Sequence, residues 1–97
     1  MDRIYKINLN TQMGNLEGLI NIVTKDNHLS GYIEIMGNKT EFSGGEVKGN
    51  NLYIKGKVKA GFITIKYDIQ GEIKQDELLI KAKTNMGLFE TIGKKVG

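Results

Sequence analysis

The chain of 97 residues contains no cysteine, no proline and no tryptophan, and it has only one histidine and one arginine. Without cysteine it can form neither disulfides nor thiolate metal sites, so nothing indicates an oxidising compartment. No apolar run has the length of a membrane span, and the first residues lack the apolar core of a signal peptide. We therefore expect a cytoplasmic protein that does not enter a membrane.

Groups that could carry catalysis are equally scarce. His28 is the only histidine, and its neighbours Asp26 and Asn27 are typical of a solvated turn. No serine, histidine and acid stand at a spacing that indicates nucleophilic catalysis, and Ser43-Gly44-Gly45 precedes no helix that could bind phosphate. We predict that the protein is not an enzyme and needs neither a metal nor a cofactor.

What the sequence does contain is a repeated hairpin pattern. Residues 45–57 recur as residues 71–83, with seven identities in thirteen positions, and each copy is an alternating apolar and polar run interrupted by a turn. Similar runs cover residues 2–10, 15–24, 29–36, 39–48, 52–59, 62–73, 78–84 and 87–94. The short turns between them leave no room for a crossover, so the pattern predicts antiparallel neighbours throughout.

This pattern predicts an all-β fold, an eight-stranded antiparallel up-and-down meander closed into a small barrel, with residues 1–97 forming one domain. Closure removes the two open edges that eight uncovered strands would otherwise leave. A two-layer β-sandwich is the alternative, because a meander can fold over without closing.

Alternation with period two separates inward from outward side chains. The predicted inward set is rich in isoleucine and comprises Tyr5, Ile7, Leu9, Leu16, Ile20, Ile22, Leu29, Ile33, Ile35, Phe42, Val47, Leu52, Ile54, Val58, Ile63, Ile65, Tyr67, Ile69, Ile73, Leu78, Ile80 and Ala82. Gly18, Gly31, Gly56 and Gly71 share this inward phase. They either allow sharp bending of the sheet or leave empty space inside the barrel.

Alternate turns of a meander lie at the same end of the barrel, and here the two ends differ. One end receives Met13, Met36, Met86 and Phe62, whereas the turns at the other end are entirely polar. Methionine adapts to irregular apolar partners, so the methionine end is a candidate mouth for an apolar ligand or a docking surface. The alternative is that the methionines fold inward and plug the barrel.

The outer surface is also divided into two unlike arcs. The predicted outward residues of the apolar arc are Ile4, Leu19, Val23, Leu79 and Phe89, and they indicate a homo-oligomer interface. A second arc carries lysines, namely Lys55, Lys57, Lys59, Lys66, Lys81 and Lys83. We do not expect nucleic-acid binding, because arginine and aromatic residues are few there and acids are interleaved.

Polar groups predicted to face inward could hold the head of a ligand. Arg3 and Tyr5 on the first strand, Tyr67 on the sixth and Glu90 on the last are the candidates. Arg3 and Glu90 would approach each other if the first and last strands are neighbours. Because a charge inside a barrel needs a partner, the alternatives are an ion pair at the barrel end or a shift of phase that turns Glu90 outward.

The meander, with hairpins such as Leu29-Ser30-Gly31-Tyr32-Ile33, resembles the calycin group of lipocalins, fatty-acid-binding proteins and avidins. It is also similar to small bacterial β-domains found beside hydrolases, on the residues Thr11-Gln12-Met13-Gly14 and Met86-Gly87-Leu88-Phe89. The resemblance implies a ligand-binding barrel. The chain departs from the group because it lacks the lipocalin Gly-x-Trp and any tryptophan for an avidin-type pocket.

We therefore expect non-catalytic binding of a small apolar or amphipathic ligand, with Met13, Met36 and Met86 at the entrance. The alternative is a protein interaction or oligomerisation module whose barrel is filled by its own side chains. An eight-stranded barrel is wide enough for either arrangement, so the size of the interior cavity distinguishes them.

Overall fold

A computed structural model describes residues 2–11, 14–60 and 62–97, nearly all of them in β-strands. The strands are β1 (Asp2–Thr11), β2 (Gly14–Lys25), β3 (His28–Ile35), β4 (Asn38–Lys48), β5 (Asn51–Ala60), β6 (Ile63–Lys74), β7 (Glu77–Thr84) and β8 (Gly87–Lys95). Their bounds lie within one or two residues of those that alternation predicts.

The eight strands form an antiparallel meander that closes into a barrel in the order β1 to β8, with β8 paired to β1. The predicted fold class is thereby confirmed, and the two-layer sandwich is not formed. Most turns are two residues long, as in the pairs Lys25 with His28 and Thr84 with Gly87. Such turns fix the register of each hairpin.

The core follows the predicted inward set. Every residue of that set either is buried or packs against the buried cluster, and Met86 joins the second group. Tyr5, Leu52 and Leu78 are completely enclosed. Period two was sufficient here because adjacent strands present their inward residues at matching register positions.

The prediction for β8 is wrong by one residue, so that Phe89 faces inward and Glu90 outward. The two-residue turn pairs Ala82 with Phe89 and Lys81 with Glu90. Antiparallel partners share a face, and Ala82 faces the core, so Phe89 must do the same. Either set of alternating residues in β8 could face inward on sequence alone. The two-residue turn, together with the inward residues of β7, decides which set does.

The inward glycines leave no empty space. A Cβ atom at Gly71 would lie 2.6 Å from Leu52 Cδ1, and one at Gly56 would lie 2.7 Å from the Tyr67 hydroxyl. At Gly18 and Gly31 the space is taken by backbone oxygens of the adjacent strands. These glycines allow neighbouring strands and side chains to approach closely, and the alternative that they leave empty space inside the barrel is wrong.

The polar end of the barrel is held by a repeated backbone hydrogen bond. The carbonyls of Asn27 and Asn50 accept the N–H groups of Val47 and Ile73 at 3.2 and 2.8 Å, and the Asp76 carbonyl accepts that of Lys95 at 2.8 Å. Each polar turn is thus fastened to the next hairpin along the barrel.

Two seams of the barrel are paired only near this polar end. β1 pairs with β2 over ten residue pairs, whereas β4 and β5 pair only from Glu46 with Tyr53 to Lys48 with Asn51. At the second seam, β1 and β8 pair at Tyr5 with Lys95 and Lys6 with Lys94, and farther along Thr91 Oγ1 donates to the Asn8 carbonyl. The two seams thus divide the closed barrel into the sheets β1–β4 and β5–β8, and among the described residues neither seam ladder continues to the methionine end.

The inward phase of β8 can be tested by truncating neighbouring residues. We expect Phe89→Ala to lower the free energy of unfolding by about 2 kcal/mol, because the ring packs inside the barrel. Leu88→Ala is the matched control, since Leu88 is 75% exposed, and it should stay within ~0.5 kcal/mol of the parent. Urea unfolding followed by circular dichroism measures the free energy of unfolding of both variants. A larger loss for Leu88→Ala than for Phe89→Ala would mean that Leu88, and not Phe89, faces inward.

Candidate functional site

A small apolar cavity lies inside the methionine half of the barrel. Its volume is about 50 Å³, and the atoms exposed to it are apolar. The lining side chains come from both sheets and are Ile7, Leu9, Leu16, Ile20, Ile33, Ile35, Val58, Ile65, Tyr67, Ile69, Ile80, Ala82, Thr84, Met86, Phe89 and Thr91. The cavity lies beyond the ends of the two seam ladders.

Packing is uneven along the barrel axis. In the polar half Tyr5, Ile22 and Leu52 have at most 1% of their surface exposed, whereas Leu16 and Ile65 in the methionine half each retain 8%. The side chains of the polar half, which we call the solid half, are thus the more completely enclosed, and the methionine half, which we call the porous end, contains the cavity.

The rim of the porous end is apolar and partly strained. Met36 is 56% exposed, and Phe62 and Leu88 are exposed as well. Met36 also has a positive φ of 54°, followed by Gly37 at 80°, as a type I′ turn requires. A non-glycine residue in this region is uncommon. Met36 therefore does not plug the barrel, and Met13 lies outside the described residues.

Met86 occupies a different position, because it packs against the core and lines the cavity. Asn85 holds its turn over the barrel by donating its N–H to the Lys66 carbonyl and accepting the Lys66 N–H at its Oδ1 atom, at 3.3 and 3.0 Å. Thr84 Oγ1 accepts the N–H of Met86. Met86 is the predicted entrance residue that the structure places at the cavity.

Three of the four predicted polar groups lie away from the cavity. Arg3 Nη1 donates to the Tyr5 hydroxyl at 3.3 Å, and neither residue lines the cavity. Both lie near the polar end, where Arg3 borders an open groove together with Asp26, Glu72 and Glu77. Glu90 is exposed on the outer face of β8, so of the two alternatives the shift of phase is found and the Arg3–Glu90 ion pair is not formed.

Tyr67 does line the cavity, but its hydroxyl is turned away from it. The oxygen rests against Gly56, has almost no accessible surface and has no hydrogen-bond partner among the described residues. Burial raises the pKa of Tyr67 above its usual 10.0, because it disfavours the phenolate. The cavity therefore receives the apolar ring of Tyr67 and offers no polar group to a ligand.

Two further features of the structure concern metal sites and membrane spans. Among the described residues no three His, Asp or Glu side chains are grouped as a metal site, and no helix is long and apolar enough to cross a membrane. No protein-family model, no curated protein and no solved structure matches the chain. The site is therefore interpreted from its own geometry.

Sequence reasoning missed the contributions of β8 and of the last turn. Phe89, Thr91 and Thr84 line the cavity and were not among the predicted site residues. Extending the inward phase of β7 across the two-residue turn at residues 85–86 would have identified Phe89 and Thr91. The seam between β1 and β8 has no local signal because it joins distant strands, whereas Ser43-Gly44-Gly45 lies in β4 at the seam with β5, and Gly44 has a φ of 80°.

The unpartnered hydroxyl of Tyr67 makes a specific prediction. Tyr67→Phe should stabilise the protein by about 1 kcal/mol at pH 7, because it removes an unsatisfied buried group. The folded state holds the Tyr67 proton to higher pH than the unfolded chain, so this part of the stability is complete below pH 10.0 and is lost as pH rises through the raised pKa. The variant's advantage should therefore grow above pH 10.

Denaturant unfolding from pH 7 to 11 would measure this, with Tyr53→Phe as the control on an exposed tyrosine. A Tyr67→Phe variant that is less stable than its parent at pH 7 would mean that the hydroxyl has a partner.

Proposed function

We propose that the protein is a non-catalytic binder of a small apolar group, which enters the barrel from the methionine end. The observation that carries the proposal is the apolar cavity in the methionine half of the barrel, beyond the ends of the two seam ladders. Apolar ligands favour preformed, poorly hydrated apolar cavities. The exposed side chains of Met36, Phe62 and Leu88 provide further apolar surface around the same end.

The dimensions of the site define the ligand class. Pockets for drug-sized ligands measure roughly 300–1,000 Å³, so a cavity of about 50 Å³ admits only an alkyl end or a comparably small group. Because no polar atom faces the cavity, any polar head of an amphipathic ligand would remain at the rim. The resemblance to the calycin group supports ligand binding in a barrel of this topology, with a much smaller site.

Xenon and hexan-1-ol are suitable probes, since both are small and present apolar surface. In ¹³C-methyl NMR we expect saturable shifts for Val58, Ile65 and Ile80, which line the cavity, and none for Ile22 and Leu52 in the solid half. Larger protein cavities that are likewise lined by aliphatic and aromatic side chains bind xenon.

Ala82→Leu fills the cavity and should abolish the shifts, whereas Lys81→Leu places the same side chain on the outer face and should preserve them. Absence of shifts in the parent protein, or equal shifts in both halves, would contradict the proposal.

A second candidate, self-association, is favoured by apolar side chains on the outer face. Ile4, Leu19, Val23 and Leu79 face outward and are half-buried, while Phe89 faces the core and does not contribute. Ile92 and Val96 are exposed and extend the arc, since Ile92 pairs with Leu79 and Val96 is hydrogen-bonded to Ile4. We propose that this outer arc forms a homodimer interface.

Sedimentation at tens of micromolar protein tests the dimer. The parent should sediment with twice the monomer mass of 10.8 kDa. Ile92→Lys should return it to a monomer, because the charge would be buried in the interface. Tyr53→Lys, on the lysine side of the barrel, should leave the dimer intact. A monomeric parent would exclude this candidate and leave the cavity proposal standing.

A further inference from the structure

The turn between β5 and β6 presents a large apolar side chain at the methionine end. Phe62 is fully exposed to solvent. Its hairpin extends past the neighbouring one, because Lys66 exchanges two hydrogen bonds with Asn85 in the β7–β8 turn. Residues 63–65 of β6 lie beyond that contact and add roughly 10 Å of strand. Phe62 therefore stands at the tip of a projecting hairpin.

Lysines lie behind this tip on the outer face of the sheet. Lys57 on β5 stands directly opposite Lys66 on β6, and Lys59 is two residues nearer the turn. All three side chains are exposed, and none of them forms an ion pair with a described residue. Like charges placed opposite each other destabilise a sheet, so this arrangement does not serve the stability of the barrel.

Acidic side chains near this end lie mainly on the other sheet. They are Glu17, Glu34 and Glu41, on the outer face of β2, β3 and β4. On β5 and β6 the acid nearest to the tip is Asp68, and it lies 3.9 Å from Lys55. The basic group and Phe62 thus share one side of the rim. A flat anionic surface can meet that side without approaching the three glutamates.

We propose that Phe62, Lys57, Lys59 and Lys66, which we call the tip patch, dock the protein on an anionic lipid surface. The ring of Phe62 enters the boundary between headgroups and acyl chains and gains apolar burial there. The ammonium groups lie among the anionic headgroups, where each contributes about fivefold in affinity. The expectation that the chain does not enter a membrane rested on spans and signal peptides, and peripheral contact needs neither.

The shape of the tip patch favours a lipid surface over a macromolecular partner. A protein partner of ordinary affinity needs roughly 800 Å² of closely matched surface on each side, whereas a projecting tip with one ring fits a fluid layer of headgroups. Single-stranded nucleic acids are bound by several stacking aromatic groups, and the tip patch has one. None of its four side chains lines the cavity, so the proposal does not depend on ligand binding there.

A tryptophan reporter gives the first test, because the chain has no tryptophan of its own. Phe62→Trp should bind vesicles of phosphatidylcholine with about one third phosphatidylserine, and its emission should shift to the blue and be quenched by brominated acyl chains. Tyr53→Trp is the matched control, since Tyr53 is an exposed aromatic residue near the polar end of β5, and it should show neither change. Absence of binding, or equal quenching in both variants, would overturn the proposal.

Charge reversal gives the second test, read as the affinity for the same vesicles in a flotation assay. Lys57→Glu with Lys59→Glu should weaken binding at least about tenfold, and the fold should persist because the repulsion between Lys57 and Lys66 is removed. Lys25→Glu with Lys48→Glu makes the same change in net charge at the turns of the polar end. The barrel is 36 Å long, well beyond the Debye length of about 10 Å, so this control should stay within about twofold. Equal losses in the two variants would contradict docking through the tip patch.

The third test separates the lipid surface from charge alone. Phe62→Ser should lower the affinity for the mixed vesicles about tenfold, because the ring no longer enters the layer. The parent should bind pure phosphatidylcholine vesicles and soluble polyglutamate more weakly than the mixed vesicles. Unchanged binding by Phe62→Ser, or equal affinity for polyglutamate, would show that the lysines recognise charge without a lipid surface and would overturn the proposal.

Discussion

The closure of the barrel at its polar end is the constraint on which the remaining structure depends. Hydrogen bonds from Val47, Ile73 and Lys95 to three successive turns fasten each hairpin to the next, and both seams are paired at this end. Here the strands approach closely enough for Tyr5 and Leu52 to be fully enclosed. Past the ends of the two seam ladders the described strands have no further ladder pairs across either seam, and there the hydrogen bond from Thr91 Oγ1 to the Asn8 carbonyl joins β8 to β1. The cavity lies in that region.

This asymmetry also determines which chemistry each end can support. Of the groups that sequence reasoning assigned to a ligand, Arg3 borders an open surface groove near the closed end, Tyr5 is fully buried there, and Glu90 lies on the outer face of β8. The porous end has aliphatic side chains, and the buried hydroxyl of Tyr67 near it lies against Gly56. A ligand that enters there gains only apolar burial, worth roughly 25 cal/mol per Å². The small size and low polarity that we propose for the ligand therefore follow from the architecture of the barrel.

Period-two alternation predicted the strands and the inward set correctly, because the direction of each side chain depends only on its position along its own strand. It failed on β8, where Leu88, Glu90 and Ile92 alternate as well as Phe89, Thr91 and Gly93, so the phase depends on a turn and a neighbouring strand. It could not distinguish bending glycines from space-making ones, since the answer lies in the side chain across the strand, such as Tyr67 over Gly56. The β1–β8 seam was beyond its reach, because pairing between distant strands is a property of the closed barrel. At the β4–β5 seam the alternation continues along both strands although the ladder stops at Glu46 and Tyr53.

The repeated hairpin shows why local sequence alone does not specify a site. The two copies carry the same lysines two residues apart, Lys55 and Lys57 in one and Lys81 and Lys83 in the other. β7 is paired along its length on both sides, so its lysines stand on an ordinary solvated sheet face. β5 is paired with β6 along its length but with β4 only as far as Tyr53, so its lysines stand beside a shorter ladder. The chemistry of the two copies is alike, and their position relative to a seam makes them different.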